Sequence, residues 1–298
     1  MADVTVSSPE TAPRKPVSFF RQLRRYPSAL VGGVMLVAIL AVTLLAPVLF
    51  GQDPMLQDIM ARMRPPSWYA GGDPNHLLGT DQVGRDTLAR VLYGGRTDLF
   101  VAGLTVLLSG SFGITMGLIA GYVGGRVDYW ISTLIYAVWS FPTILLALVI
   151  VAVLGAGLPN LILALVITSW APFARLVRSQ TVALREREFV EAANALGAPT
   201  RRILFRHLMP NLMSSILVIA TNEFGHVLLS AAALSFLGLG VPPEIPSWGG
   251  MLNEARNYLL GMAWMAVIPG VAIFVTVLSV NLIGDGLRDL LDPRIRNN

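Results

Sequence analysis

Long apolar stretches alternate with polar segments along the whole chain. Six of them, 29–50, 98–121, 130–155, 158–175, 212–238 and 262–283, read as membrane-crossing helices. A helix rises 1.5 Å per residue, so about 20 residues cross a hydrocarbon layer of about 30 Å. The first stretch carries no charge and is too long and uninterrupted for a signal peptide. In the third, Ser140-Phe141-Pro142 predicts a kink, because proline removes a backbone donor. The fourth is short, opens near Pro159 and contains Pro172. The pattern predicts an all-α, polytopic membrane protein with six transmembrane helices. It divides into an arm over 1–28, a first transmembrane helix with an external segment over 29–97, and a five-helix core over 98–298 containing a polar loop at 175–211.

The polar segments are unevenly charged. Segments 1–28, 122–129, 175–211 and 284–298 hold 16 of the 22 lysines and arginines, and the alternate set holds 6. The positive-inside bias therefore predicts cytoplasmic termini and a cytoplasmic loop 175–211. Tyr122, Tyr129, Trp130, Tyr258 and Trp264 fall at span ends, where amphipathic rings favour the headgroup layer. In the arm, residues 16–26 mix Phe19, Phe20 and Leu23 with Arg21, Arg24 and Arg25, which suits either a helix lying on the inner leaflet or a merely basic extension. Residues 1–15, rich in Ser, Pro and Thr, are predicted to lack order.

Composition narrows the function classes. The chain is 54% hydrophobic and 13% charged, against about 25% charged in soluble proteins. Its mean hydropathy is +0.63. That is too little charge to coat soluble domains, and it excludes an ordinary cytosolic enzyme or a disordered protein. A pI of 9.8 does not indicate a nucleic-acid partner, because the basic residues sit beside apolar runs. Cysteine is absent, so disulfides and thiolate metal sites are excluded. His76, His207 and His226 are scattered, without the HExxH spacing of a zinc protease. Neither catalytic residues nor metal ligands are expected.

The most distinctive polar segment is 175–211. Phe189, Ala192, Ala193 and Leu196 recur at helical spacing, Gly197 follows where a left-handed cap would sit, and Pro199 suits the start of a second helix. Pro210 is expected to stop that helix just before the next span. The result is a helix–glycine–helix elbow whose stripe suits either a groove on another protein or the chain's own inner ends.

EAANALG at 191–197, followed by LMPN at 208–211, resembles the signature loop of binding-protein-dependent ABC-transporter permeases. GTDQVGRDTLARVLYGGRTDL at 79–99, LSFLGLG at 234–240 with PSWG at 246–249, and NLIGDGLRDLLDPR at 281–294 resemble segments of the peptide-permease branch, the dipeptide/oligopeptide permease C family. Met209 stands where a Leu is more usual. The resemblance implies the ABC type I importer permease fold in a bacterial inner membrane. It also implies a second permease subunit, two cytoplasmic ATPase subunits carrying ATP and Mg, and an external solute-binding protein. Phe189, Glu191, Ala192, Ala193, Leu196 and Gly197 would then form the helix that couples to an ATPase. Peptides, including dipeptides, oligopeptides or glutathione, are the implied cargo.

Independently, a P-loop needs a glycine-rich turn followed by Lys, and the single lysine, Lys15, has no glycine near it. No cofactor is expected on this chain, and energy must come from a partner or an ion gradient. An ion-gradient-driven transporter or channel for a small polar solute is the alternative reading.

In the fifth span, Ser215, Asn222, His226 and Ser230 share one helical face, with Glu223 at its edge. Glu223 is the one acid well inside a span, and a charge at membrane depth costs roughly 2.5–3.5 kcal/mol on insertion scales, so lipid exposure is disfavoured. This face either lines a translocation path or forms a satisfied interhelical cluster in which Glu223 is protonated or pairs with His226. Gly113, Gly117 and Gly121 repeat every four residues and predict close helix packing, within the chain or against the sister permease. Asp86 is placed to cap a short outer helix over Leu88, Val91 and Leu92 that ends at Gly94. Arg85, Arg90 and Arg96 suit local salt bridges or acids on an external protein. Trp248 reads as an interfacial anchor or part of an external gate.

Overall fold

The computed structural model describes residues 27–51 and 53–291. The interfacial helix read at 16–26, the order of residues 1–15 and the last residues of the C-terminal motif lie outside them. Long helices dominate: α1 (Pro27–Phe50), α2 (Thr87–Val123), α3 (Gly125–Trp139), α4 (Thr143–Leu154), α5 (Leu158–Arg185), α6 (Glu188–Ala195), α7 (Thr200–Phe236), α8 (Trp248–Ala255) and α9 (Trp264–Leu291). The α-helix satisfies its backbone internally, which is why it suits the apolar stretches of this sequence in a membrane.

Five of these helices, α1, α2, α5, α7 and α9, are each long and apolar enough to span a membrane alone. The sixth crossing is a bent pair. α3 and α4 meet at 88° across Ser140–Pro142, where the sequence predicts a kink. Helix direction requires that pair to cross. A Cβ on Gly113 would stand 2.4 Å from the Trp170 carbonyl oxygen, one on Gly117 2.6 Å from that of Ala174, and one on Gly121 2.8 Å from that of Arg178. Positions rise together along both helices, so α2 and α5 run parallel in close contact. The chain between them must return over their length, and only α3 and α4 are available to do it.

Two further helix pairs are antiparallel. Gly32 of α1 meets Ser279 and Leu282 of α9, while Gly286 meets Ala29; Gly225 of α7 faces Val277 and Asn281, while Gly284 faces Thr221. The two described ends of the chain therefore lie at the same end of the bundle. Three buried clusters fill it. The largest joins Leu161, Leu165, Val227, Leu228, Leu234 and Trp248, a second joins Leu118, Val177, Val190, Ile203, Leu208 and Leu212 around the elbow, and a small third joins Ile135 of α3 to Trp170, Ala171 and Ala174 of α5. α1 leaves Val34, Val37, Leu44 and Val48 exposed, as a lipid-facing helix does.

Three helix boundaries differ from the sequence expectation. α2 starts at Thr87 and continues through Gly94 and Gly95 instead of ending a short outer helix there. The reason is packing: a Cβ on Gly95 would stand 2.5 Å from Thr43 Cγ2 of α1 and 2.8 Å from Trp248 Cζ2, and one on Gly94 3.2 Å from Ser247 Cα. These glycines admit neighbours rather than stop the helix. α5 runs on to Arg185, with Pro159 in its first turn, where a missing N–H costs nothing. α7 begins at Thr200 and passes through Pro210 without stopping. A π-helical stretch, Ile203–Leu208, widens the turn ahead of this proline, and the Met209 N–H reaches back to the Leu204 carbonyl.

The α2–α5 contact makes a measurable distinction. Gly117→Ala should destabilise the purified protein by about 1–3 kcal/mol, the usual range for overpacking. Gly103→Ala, on the same helix but with nothing within 4 Å, should be neutral or gain up to about 1 kcal/mol in helix propensity. Thermal unfolding in detergent compares the two, and equal shifts would contradict the close contact.

Candidate functional site

The elbow forms by local chemistry. α6 ends in a Schellman motif: Gly197 N–H bonds the Asn194 carbonyl at 2.9 Å and Ala198 N–H bonds the Ala193 carbonyl at 3.0 Å. Gly197 sits at φ +74°, a conformation that β-carbons disfavour. The chain re-enters a helix directly, with the Pro199 carbonyl accepting the Arg202 N–H at 2.8 Å. Tyr122, at the end of α2, bonds the Asn194 side chain at 3.0 Å, and Arg185 reaches the Tyr122 carbonyl at 3.3 Å. The elbow is thus seated on the joined ends of α2 and α5.

The stripe read from sequence divides between two sides of α6. Ala193 is buried, together with Val190, which the sequence reading omitted; both pack on Ile203, Leu208 and Leu212. Phe189, Glu191, Ala192, Leu196 and Gly197 are exposed, Leu196 at 88%. An apolar side chain that open is available to a partner. The inward face follows the 190/193 pair because those positions, three apart, point back at α7.

The polar face of α7 opens into two cavities rather than one continuous stripe. Ser215 and Asn222, with Ser214, Gln180 of α5 and Arg288 of α9, line a cavity of about 490 Å³, in which Gln180 Nε2 donates to Ser215 Oγ at 2.8 Å. Glu223, His226 and Ser230 line a second cavity of about 470 Å³, against Trp139 and Thr143 at the α3–α4 break and Thr168 of α5. Among the described residues, the Glu223 carboxylate has neither a hydrogen bond nor an ion pair, and it is not paired with His226. Gly113, Gly117 and Gly121 stand apart from both cavities, against α5. The described residues contain no group of three or more His, Asp or Glu side chains able to hold a metal ion.

At the opposite end from the elbow, charge is buried and paired. Arg85 Nε and Arg90 Nη1 each donate to Asp81 Oδ2 at 2.6 Å, and both guanidinium groups reach Glu254 Oε2 at 2.6 Å. Arg85, Arg90 and Asp81 are no more than 5% exposed. The cluster ties the segment before α2 to α8, so these two arginines meet acids of their own chain. Arg96 is exposed and lies over the Tyr93 ring at 5.9 Å. Asp86 caps α2 by accepting the Ala89 N–H at 2.8 Å and also bonds His76 Nδ1 at 2.8 Å. Nearby, the Asn75 backbone N–H, aided by the Arg64 guanidinium, holds the Asp73 carboxyl below the usual carboxylate range.

A family model described as the binding-protein-dependent transport system inner membrane component matches residues 113–297. The chain belongs to this family. A second model, the N-terminal TM domain of oligopeptide transport permease C, matches residues 17–66 of this permease. A dipeptide transport system permease protein of Alkalihalophilus pseudofirmus is 41% identical over 278 residues, covering 93% of this chain and 90% of the relative. A dipeptide permease of Haemophilus influenzae is 38% identical, covering 96% of this chain and 97% of its own length. A glutathione transport system permease protein of Pectobacterium atrosepticum is 39% identical, covering 94% and 91%. Among solved structures, a chain of the inward-facing methionine ABC transporter MetNI superposes with a TM-score of 0.57 at 18% identity. It covers 69% of this chain and 98% of that one, and it supports the fold alone.

Two residues of this inner-membrane permease have roles that sequence reasoning missed. Trp248, read as an interfacial anchor or part of an external gate, is buried: it is 2% exposed, fills the main core and donates its indole N–H to the Val91 carbonyl at 2.8 Å. Asp98, read as the edge of a span, is 1% exposed and accepts the Trp248 backbone N–H at 2.7 Å. It thereby holds the start of α8 against α2. Their separation of 150 residues hides the contact from any local pattern. Arg90→Met strips one partner from the buried ionic cluster and should cost about 3–5 kcal/mol. Arg96→Met should cost far less. Thermal unfolding of the two variants checks this, and similar losses would contradict the cluster's buried character.

Proposed function

We propose that this permease imports peptides, with dipeptides, tripeptides and glutathione as the candidate cargo, using ATP hydrolysed on partner subunits. Relatives named for dipeptide and glutathione transport, matched over nearly their whole lengths, support the cargo class. The exposed elbow carries the mechanism. Leu196, Ala192 and Phe189 leave an apolar surface open beyond the bundle end. Such a surface, held by a rigid Schellman cap on the joined ends of α2 and α5, suits a groove on a cytoplasmic ATPase. Motion of that partner would pass through Tyr122 and Arg185 into the two helices beside the polar cavities.

The chain itself has no P-loop lysine–glycine arrangement, so ATP and Mg belong to two partner ATPase subunits. A second permease would close the pore and an external solute-binding protein would deliver cargo. The excess of lysine and arginine in alternate segments supports cytoplasmic termini and a cytoplasmic elbow. Ser215, Asn222, Glu223, His226 and Ser230 would line the path, since their two cavities lie beside one span at successive depths.

The test is uptake by the assembled transporter. ATP-dependent accumulation of labelled di- and tripeptides is expected for the wild-type complex. Gly197→Pro cannot take φ +74°, and Leu196→Glu places a charge on the open face without touching the core. Both should lower uptake at least about tenfold, corresponding to about 1.4 kcal/mol of lost coupling, while membrane insertion is unchanged. Normal uptake in both variants would defeat the coupling role.

A further inference from the structure

We propose that the cavity at the α3–α4 break is a subsite for a primary ammonium group, supplied by the free amino terminus of a passing peptide. The inference rests on the peptide-permease reading above and adds the chemistry of recognition. The cavity, about 470 Å³, falls within the range of small-molecule sites, about 300–1,000 Å³. Its wall combines one carboxylate and one imidazole with hydroxyl oxygens: Glu223, His226 and Ser230 from α7, Thr168 and Ser169 from α5, and Thr143 from α4, and a neutral imidazole also offers an acceptor nitrogen.

The hydrogen-bonding character of this wall selects a donor. An ionised carboxylate only accepts, and Glu223 has no partner among the described residues. The Thr168 hydroxyl lies 3.1 Å from the carbonyls of Ala164 and Leu165, so its proton is directed at the backbone and its oxygen keeps only acceptor capacity. Arg175 cannot stand in for the missing cation, because its guanidinium lies over the Trp139 ring at 4.1 Å and makes no ion pair with Glu223. A carboxylate unpaired at membrane depth is costly, and an arriving cation relieves that cost. A primary ammonium carries three donors and no acceptor, matching such a wall. A transition-metal ion fits less well, since Glu223 and His226 are two ligands where metal sites use three or more.

The chain has no cysteine, so a single Ile144→Cys substitution at the cavity wall reports occupancy through its rate of reaction with a water-soluble thiol reagent. The experiment uses the complete transporter in nanodiscs, with dialanine and N-acetyl-dialanine as probes. Dialanine should slow labelling at least about tenfold more effectively than the acetylated peptide. Adding Glu223→Gln should abolish that difference, and Glu223→Asp should retain most of it. Unchanged labelling rates without peptide verify that the variants fold. Equal protection by both peptides, protection by neither, or discrimination that survives Glu223→Gln would overturn the subsite. Failure of the wild-type transporter to accumulate any di- or tripeptide with ATP would instead overturn the peptide-permease reading on which the subsite rests.

Discussion

Backbone contact between two parallel helices organises this protein. Because Gly113, Gly117 and Gly121 carry no side chain, carbonyl oxygens of α5 come against α2 at distances that a Cβ would not permit. Neighbouring helices of the same direction require a returning segment between them. In this chain the return is α3 and α4, bent by 88° at Pro142. The bend opens a recess against α5 and α7, and Glu223 faces into it. The same contact brings Val123 and Arg185 to one end of the bundle, where the elbow takes its seat. Topology, cavity and elbow thus share one steric origin.

Charge is handled oppositely at different depths. Outside the apolar region, Asp81, Arg85 and Arg90 are withdrawn from water and paired with one another and with the partly exposed Glu254. A low local dielectric strengthens each bond and makes removal of one partner expensive. Such a cluster fixes the segment before α2 to α8, its charges paired within the chain. Glu223 is the contrast: a carboxylate beside open space and acceptor oxygens. Burial with partners builds structure, whereas burial beside a cavity without partners leaves an interaction to be completed.

The elbow shows the complementary case for apolar groups. One side of α6, at Val190 and Ala193, joins the bundle's own core. Its other side keeps Phe189 and Leu196 in the open. A helix of eight residues is too short to be stable from backbone bonding alone. Its shape is held by the cap at Gly197, by the buried pair and by Tyr122 on Asn194, so the exposed side is presented rigidly.

Much of this was legible in the chain by itself. Hydropathy over about 20 residues responds to the surrounding solvent, so the spans could be located locally, as could the Pro142 break. A Schellman cap depends on neighbouring backbone groups, which is why Gly197 announced the elbow. Asp86 as a cap was visible for the same reason. What local pattern lacks is the identity of the opposing surface. Gly94 looked like a helix stop and proved to be a packing site, because Ser247 lies against it. Pro210 looked like a second stop, but the π turn before it absorbed the proline. Trp248 looked superficial and is core, because Asp98 and Val91 receive its N–H groups. One periodic face of α7 became two cavities, because α5, α9 and the α3–α4 bend approach it from different directions. Sequence determined the spans, the elbow and the family, all carried by short-range periodicity and motif; only the tertiary structure decided which charges are spent, which glycines are contacts and which side chains share a cavity, because those depend on partners brought together from distant parts of the chain.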